Sequence, residues 1–250
     1  MCNKQAINKY FLDHCFPCHT ALLKINLDSS PIPISANMHS STMAAPGEGT
    51  DAFAFFLMTD WCRDLLYEPN TRIIIPPCRI PKSSTEDSLL AVSLSKNSST
   101  INHALSFYPR PFRDSTSIPQ VSTLWSLGDG LNGFPATLHG GMIATFLDES
   151  MGILMQLNHE LAHMREVALG KKDGEWADML PQFTVELVVK YKSQVKTPGL
   201  VMTKAELVKK EGRKTWVRAM LYQKSGKGEG DMVLCSVAEG LFVEPRTGKM

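Results

Sequence analysis

Residues 137–152 read TLHGGMIATFLDESMG, and the fold turns on how they are read. Gly140 and Gly141 open a run in which Met, Ile, Phe and Leu recur on nearly every side of a helix, through Leu157. A helix of that kind is buried on most of its faces. Two features do not belong to a plain core helix. A His-Gly-Gly triplet stands at its mouth, and an acid, Asp148, stands inside it.

Strand-like runs flank the helix. INHALSFYP (101–109) and QVSTLWSLG (120–128) precede it, followed by a loop, GLNGFPATLHG (130–140). Residues 158–180 are polar and carry no clear period. Four further strand-like runs follow at 182–193, 199–210, 214–224 and 232–244, with TPG, EGR and SGKGEGD as the turns between them. Two strands, one buried helix and four antiparallel strands describe an α+β meander wrapped around a single central helix. One face of that sheet needs cover.

The rest of the chain is expected to supply a lead-in. Residues 1–50 read as a short helix, with Phe11, Cys15, Leu22 and Leu23 on one side, then a linker rich in Pro, Ser and Gly. Residues 51–98 read as a helix bearing Phe53, Phe56, Trp61 and Leu65, ended by Pro69, and a Pro-punctuated connector. Residues 99–245 form the main domain. The 250 residues are 43% hydrophobic and 20% charged, enough for a core without staples. A net charge of +1 gives no case for nucleic acid or an acidic membrane surface. No apolar run approaches the roughly 20 residues of a membrane span. The N-terminus lacks a signal-like apolar core and has no Arg before Arg63, so a cytoplasmic protein is expected, with no support for a mitochondrial one. Six scattered cysteines suit reduced thiols, and the lone Cys15–Cys18 pair has no second pair to complete a zinc site.

The first N–H groups of a helix have no internal partner and sit at the positive end of its dipole. Glycines there permit close approach, so Gly140 and Gly141 can hold a carbonyl oxygen as negative charge grows on it. A carboxylate on an apolar helix is costly to bury. Asp148 therefore reads either as a base or nucleophile aimed at that carbonyl, or as one of two acids, with Glu149, at an exposed edge.

His139-Gly140-Gly141, six residues, then Asp148 resembles the signature of hotdog-fold acyl-thioester hydrolases of the PaaI-like type. FTVELVVKYKSQVKTPG resembles the strand after the hotdog helix, with Thr184 and Tyr191 at its usual hydroxyl and aromatic. VKKEGRKTWVRAML resembles the Gly-Arg-Lys turn of thioesterase superfamily members four and five. SLGDGLNG, LHGG, LDESMG and AEGLFVEP have counterparts in fungal relatives. The resemblance covers roughly residues 55–245. It implies a hotdog fold, hydrolysis of acyl-CoA or a carrier-bound acyl or polyketide group, and no cofactor. It also implies a homodimer or dimer of dimers with the site at the subunit interface.

By position, the resemblance makes the Gly141 N–H, helped by Gly140, the oxyanion donor and Asp148 the catalytic carboxylate. Thr184 becomes the hydroxyl that orients water, and His139 the residue that shapes the loop and contacts the carbonyl. Asn132 lies near the helper amide, one residue further from the histidine than in the closest pattern. Gly212, Arg213 and Lys214 match the turn near the CoA phosphates. The acyl tail is expected beside the helix, past Met142, Phe146 and Met151.

Alternatives stay open: a hotdog dehydratase or isomerase acting on an acyl or polyketide group, or a non-catalytic acyl-CoA-binding protein. His159-Glu160-Leu161-Ala162-His163 also spells the H-E-x-x-H pattern of zinc hydrolases. No third ligand follows in pattern, with Glu166, Glu175 and Glu186 equally placed, and a solvated helix end is the expectation preferred over a metal site.

Overall fold

The computed structural model describes residues 48–81, 88–95, 98–112, 115–173, 181–226 and 230–246. The helix and linker expected over most of residues 1–50 lie outside the described residues. The chain opens with helices α1 (Glu48–Leu57) and α2 (Asp60–Leu66), followed by strand β1 (Thr71–Ile74). Strands β2 (Ile101–Pro109) and β3 (Gln120–Leu127) come next, then a hairpin of β4 (Asn132–Phe134) and β5 (Thr137–Leu138). Helix α3 (Gly140–Ala168) leads to β6 (Phe183–Tyr191), β7 (Gly199–Glu211), β8 (Lys214–Lys224) and β9 (Met232–Val243). The main sheet is antiparallel and seven-stranded, in the order β1-β2-β3-β7-β8-β9-β6. This is the hotdog architecture, a sheet curved around one long helix.

Period-2 alternation builds the inner face. Val201, Thr203 and Ala205 of β7 and Thr215, Val217, Ala219 and Leu221 of β8 are buried. They meet Phe146, Leu147, Ser150, Met151 and Leu154 of α3. The Phe146 ring lies 4.8 Å from that of Trp125. Hydroxyls tie helix to sheet at the centre. Trp125 Nε1–H donates to Thr203 Oγ1 at 2.9 Å, and Thr203 and Ser150 hydroxyls are 2.6 Å apart. Ser150 donates on to the Phe146 carbonyl at 2.7 Å. Trp125, Thr203 and Ser150 thus satisfy one another's buried polar atoms, as a dry interior requires.

The far side of α3 is covered by the connector. Asn158 of the helix accepts from the Ile118 N–H at 2.8 Å and donates to its carbonyl at 2.9 Å. Arg79, itself buried, donates to the carbonyls of Leu90 and Ile101. The outer face of β2, β3 and β7 is covered by α1 and α2, where Phe56, Cys62 and Leu66 pack on Leu105, Phe107 and Leu124. Residues Ala104 through Tyr108 are therefore buried in succession, because both faces of β2 are covered.

The structure corrects three expectations. The single helix over 51–69 is two, broken at Met58-Thr59. TRII within the connector is a strand, β1, on the sheet edge, where the prolines that follow it cost no ladder bonds. The central helix does not fade at residue 157 but runs to Ala168, because Leu157, Glu160 and Leu161 find cover. Burial pushes the Cys62 thiol up to about 12 and raises Cys235 as well, so both stay protonated and unreactive.

Phe56 is fully buried between the lead-in helices and the sheet. Phe56→Ala should cost about 3–4 kcal/mol and lower Tm by roughly 10 °C in thermal unfolding. A shift under about 2 °C would show that α1 is dispensable to the domain.

Candidate active site

The mouth of α3 is built around one imidazole. His139 is the N-cap residue, and its Nδ1 accepts the Gly141 N–H at 2.9 Å. The ring sits between two glycines. A Cβ on Gly133 would stand 2.7 Å from His139 Cδ2, and one on Gly141 would stand 3.0 Å from Nδ1. GLNG and HGG are therefore parts of one steric arrangement. The N–H groups of Met142 and Ile143 bond the His139 carbonyl, and Gly141 is taken by the imidazole. That leaves the Gly140 N–H, the first of the helix, without a hydrogen-bond partner among the described residues. The resemblance gives the donor role to Gly141; here Gly140 is the residue whose N–H is available.

The β4–β5 hairpin puts Asn132 opposite Leu138, beside His139, whatever the one-residue difference in spacing. Its amide oxygen accepts from the Thr197 hydroxyl. Gln194 bonds the Thr137 hydroxyl in the same region. On the other side, the Tyr191 hydroxyl donates to the Gly140 carbonyl at 2.9 Å. Thr197, Gln194 and Tyr191 reach the helix mouth from residues over 50 positions away, a juxtaposition without a local pattern.

Asp148 lies two turns down α3 and is half-buried. Thr184 of β6 donates to its Oδ1 at 3.0 Å. Burial raises the Asp148 carboxyl above its ordinary range, and the Thr184 hydrogen bond opposes that shift. Glu149 stands about 100° further round the helix and is also half-buried. Asp148 and Gly140 are eight residues apart, so about 12 Å separates them along the axis.

A groove of about 360 Å³ opens at the helix mouth, lined by Leu138, Gly140, Ile143, Tyr191, Lys192 and Gln194. Met142, Phe146 and Met151, expected along the acyl tail, do not line this groove. Phe146 and Met151 are fully buried in the core, and Met142 is packed against it. The Met151 sulfur lies 2.6 Å from the place a Cβ on Gly240 would take, so helix and sheet are in close contact there.

Gly212, at φ +55°, and Arg213 form the β7–β8 turn. This turn is near the Asp148 end, since Lys214 and Phe183 both face Val243 and Thr184 is the next residue. Arg213 donates to the Glu244 carbonyl at 2.6 Å, Lys210 pairs with the Glu244 carboxylate, and Lys214 is exposed.

His159 and His163 are not on a solvated helix end. Both are half-buried on regular helix, and Glu160 is buried and accepts from Gln156 at 3.0 Å. Burial and the neighbouring Lys172, His163 and Lys210 push His159 toward the neutral imidazole, against Glu244. Glu166 pairs with Lys172 and Glu186 is exposed on β6, while Glu175 lies outside the described residues. Among the described residues no three metal-ligating side chains converge, and no helix is long and apolar enough to cross a membrane.

Neither a protein-family model nor a curated protein matches the sequence. Solved structures do resemble the fold. Zebrafish thioesterase superfamily member 2 is 15% identical, with 66% of this chain and 89% of that one covered, at a TM-score of 0.42. A thioesterase family protein of Silicibacter pomeroyi is 17% identical, covering 50% and 76%, at 0.37. A hypothetical thioesterase protein of Streptococcus pneumoniae TIGR4, solved with coenzyme A, is 14% identical, covering 52% and 85%, at 0.37. At such values the likeness assigns nothing to this chain, and the chemistry rests on its own residues.

Because the Asp148 carboxyl titrates higher folded than unfolded, its ionised form weighs against the folded state at neutral pH. Asp148→Asn, which can still accept from Thr184, should raise Tm at pH 7. The gain should shrink as pH falls and vanish below the ordinary aspartate range, where wild type is protonated in both states. Melting curves from pH 3 to 8 test this; a lower Tm for the variant at pH 7 contradicts it.

Proposed function

We propose that this protein hydrolyses an acyl thioester, carried on CoA or on a carrier protein, in sites shared between two copies of the chain. One observation carries the reading. A half-buried carboxylate held by a hydroxyl and an unpartnered helix N–H lie on one helix, about 12 Å apart along its axis. An oxyanion donor must stand about 3 Å from the reacting oxygen, and a base must reach the attacking water by a hydrogen bond. One chain cannot bring both groups to one carbonyl. Two antiparallel helices, side by side across a two-fold axis, can do so twice, with Gly140 of one chain facing Asp148 of the partner subunit.

The edge strand supports that assembly. Among the described residues β6 bonds β9 on one side only, and Phe183, Val185, Val188 and Tyr191 along it are exposed. Pairing β6 with a second β6 covers those side chains and closes the edge. The outer face over β2, β3 and β7 is already occupied by α1 and α2, which favours a dimer over stacking through that face.

In this site Thr184 and Asp148 hold a water against the thioester carbon. As the water's oxygen attacks, Asp148 takes its proton, and its raised pKa suits that role near neutral pH. Negative charge moves to the carbonyl oxygen, where the Gly140 N–H, the helix dipole and the His139 ring edge receive it. The C–S bond then breaks, and Asp148 returns the proton to the departing sulfur. The groove beside Gly140 and Tyr191 offers room for the acyl group. Lys214 and Arg213 at the β7–β8 end offer positive charge to the phosphates of CoA. The finer resemblance, to fungal relatives and to members four and five, belongs to this reading too.

Thiol release from short, long and aromatic acyl-CoAs tests it, with wild type, Asp148→Asn and Gly140→Pro compared. Proline at the first helical position removes only the available N–H, and His139 at φ −60°, ψ 133° already has the backbone that precedes a proline. Each variant should fold and lose about 10²–10³ in kcat. Unfolded together and refolded as mixed dimers, the two inactive variants should recover roughly a quarter of wild-type activity, because half the dimers carry one intact site. Full activity in Asp148→Asn sinks the mechanism, and no recovery on mixing sinks the shared site.

A further inference from the structure

We propose that Tyr191 is a positioning residue that acts on His139 through the Gly140–Gly141 peptide; the proposal rests on the thioester reading above. The Tyr191 hydroxyl donates to the Gly140 carbonyl at 2.9 Å. The Gly141 N–H donates to His139 Nδ1 at 2.9 Å. That carbonyl and that N–H belong to the same peptide group. A hydrogen bond accepted at one end polarises the group and strengthens the bond donated at the other. The phenol therefore reaches the imidazole without touching it.

The consequence is a defined tautomer. Nδ1 accepts, so it carries no proton, and the neutral ring keeps its hydrogen on Nε2. The ring is exposed but closely flanked: a Cβ on Gly133 would stand 2.7 Å from Cδ2, and one on Gly141 3.0 Å from Nδ1. His139 thus offers an Nε2–H donor at the mouth of the helix. Without the phenol, the peptide is a weaker donor to Nδ1, and the other tautomer, which presents a lone pair at Nε2, gains population.

The same strand grips the helix twice, through Thr184 on Asp148 and Tyr191 on Gly140. Tyr191 is the last residue of β6, on the edge assigned above to the partner. Its ring also stands 3.6 Å from the place a Cβ on Gly140 would take, an ordinary contact that Phe preserves. Tyr191→Phe therefore isolates the hydroxyl.

The test pairs ¹⁵N-histidine NMR with steady-state kinetics on wild type and Tyr191→Phe, the His139 signals being assigned by their loss in His139→Gln. Wild type should show His139 as the Nε2–H tautomer. Tyr191→Phe should show a mixture, with kcat lowered about tenfold and KM within about twofold. An unchanged tautomer overturns the proposal, whatever happens to kcat. So does a loss expressed mainly in KM, which would make Tyr191 a direct substrate contact. A tautomer that shifts in a protein releasing no thiol from any acyl-CoA or acyl-carrier substrate would uphold the relay and overturn the thioester reading instead.

Discussion

The rest of the structure depends on a helix that cannot stand in water. Phe146, Leu147, Ser150, Met151 and Leu154 are buried against the sheet, and Leu157 and Leu161 are buried further along, where Asn158 bonds the β2–β3 loop at Ile118. Burying such a side chain is worth about 1.5–3 kcal/mol, so the face of α3 outweighs any single strand pairing. The sheet curves because it must follow a cylinder. Its outer face, left apolar over β2 and β3, then calls for α1 and α2.

That demand also explains the site. The helix buries one side against the sheet and leaves a partly exposed stripe that runs from its first turn past Asp148. Both the first turn and Asp148 are touched by the edge strand β6, at Tyr191 and Thr184. An edge strand is the least restrained part of a sheet, and here it carries the contacts that matter most to the site. Its exposed Phe183, Val185 and Val188 are the apolar edge on which the proposed dimer rests.

Much of this was legible in the chain. The six main strands and the start of α3 follow from alternation, turn residues and an all-round apolar run. HGG and Asp148 announce themselves because glycine pairs and a lone acid are out of place on such a helix. The burial of Phe146 and Met151 was harder to read: an all-round apolar pattern does not say which side meets the sheet and which meets a ligand. β1 was hidden because four residues between polar and proline-rich neighbours are too short for a period. The end of α3 was hidden because Glu160, Asn158 and the histidines look solvent-facing, yet Gln156 and Ile118 receive the first two in the interior.

The sequence by itself determined that an apolar helix would open on His-Gly-Gly, carry an acid two turns in and lie within an antiparallel sheet. Those are properties of spacing and polarity along one segment. Only the tertiary structure decided which N–H is left available, since His139 caps Gly141 through a ring wedged by Gly133 from the preceding hairpin. It also decided that Thr184 meets Asp148 and Tyr191 meets Gly140. Such contacts join residues 36 and 51 positions apart, and a hydrogen bond of 3 Å is set by how strands pack on a helix, not by either segment alone.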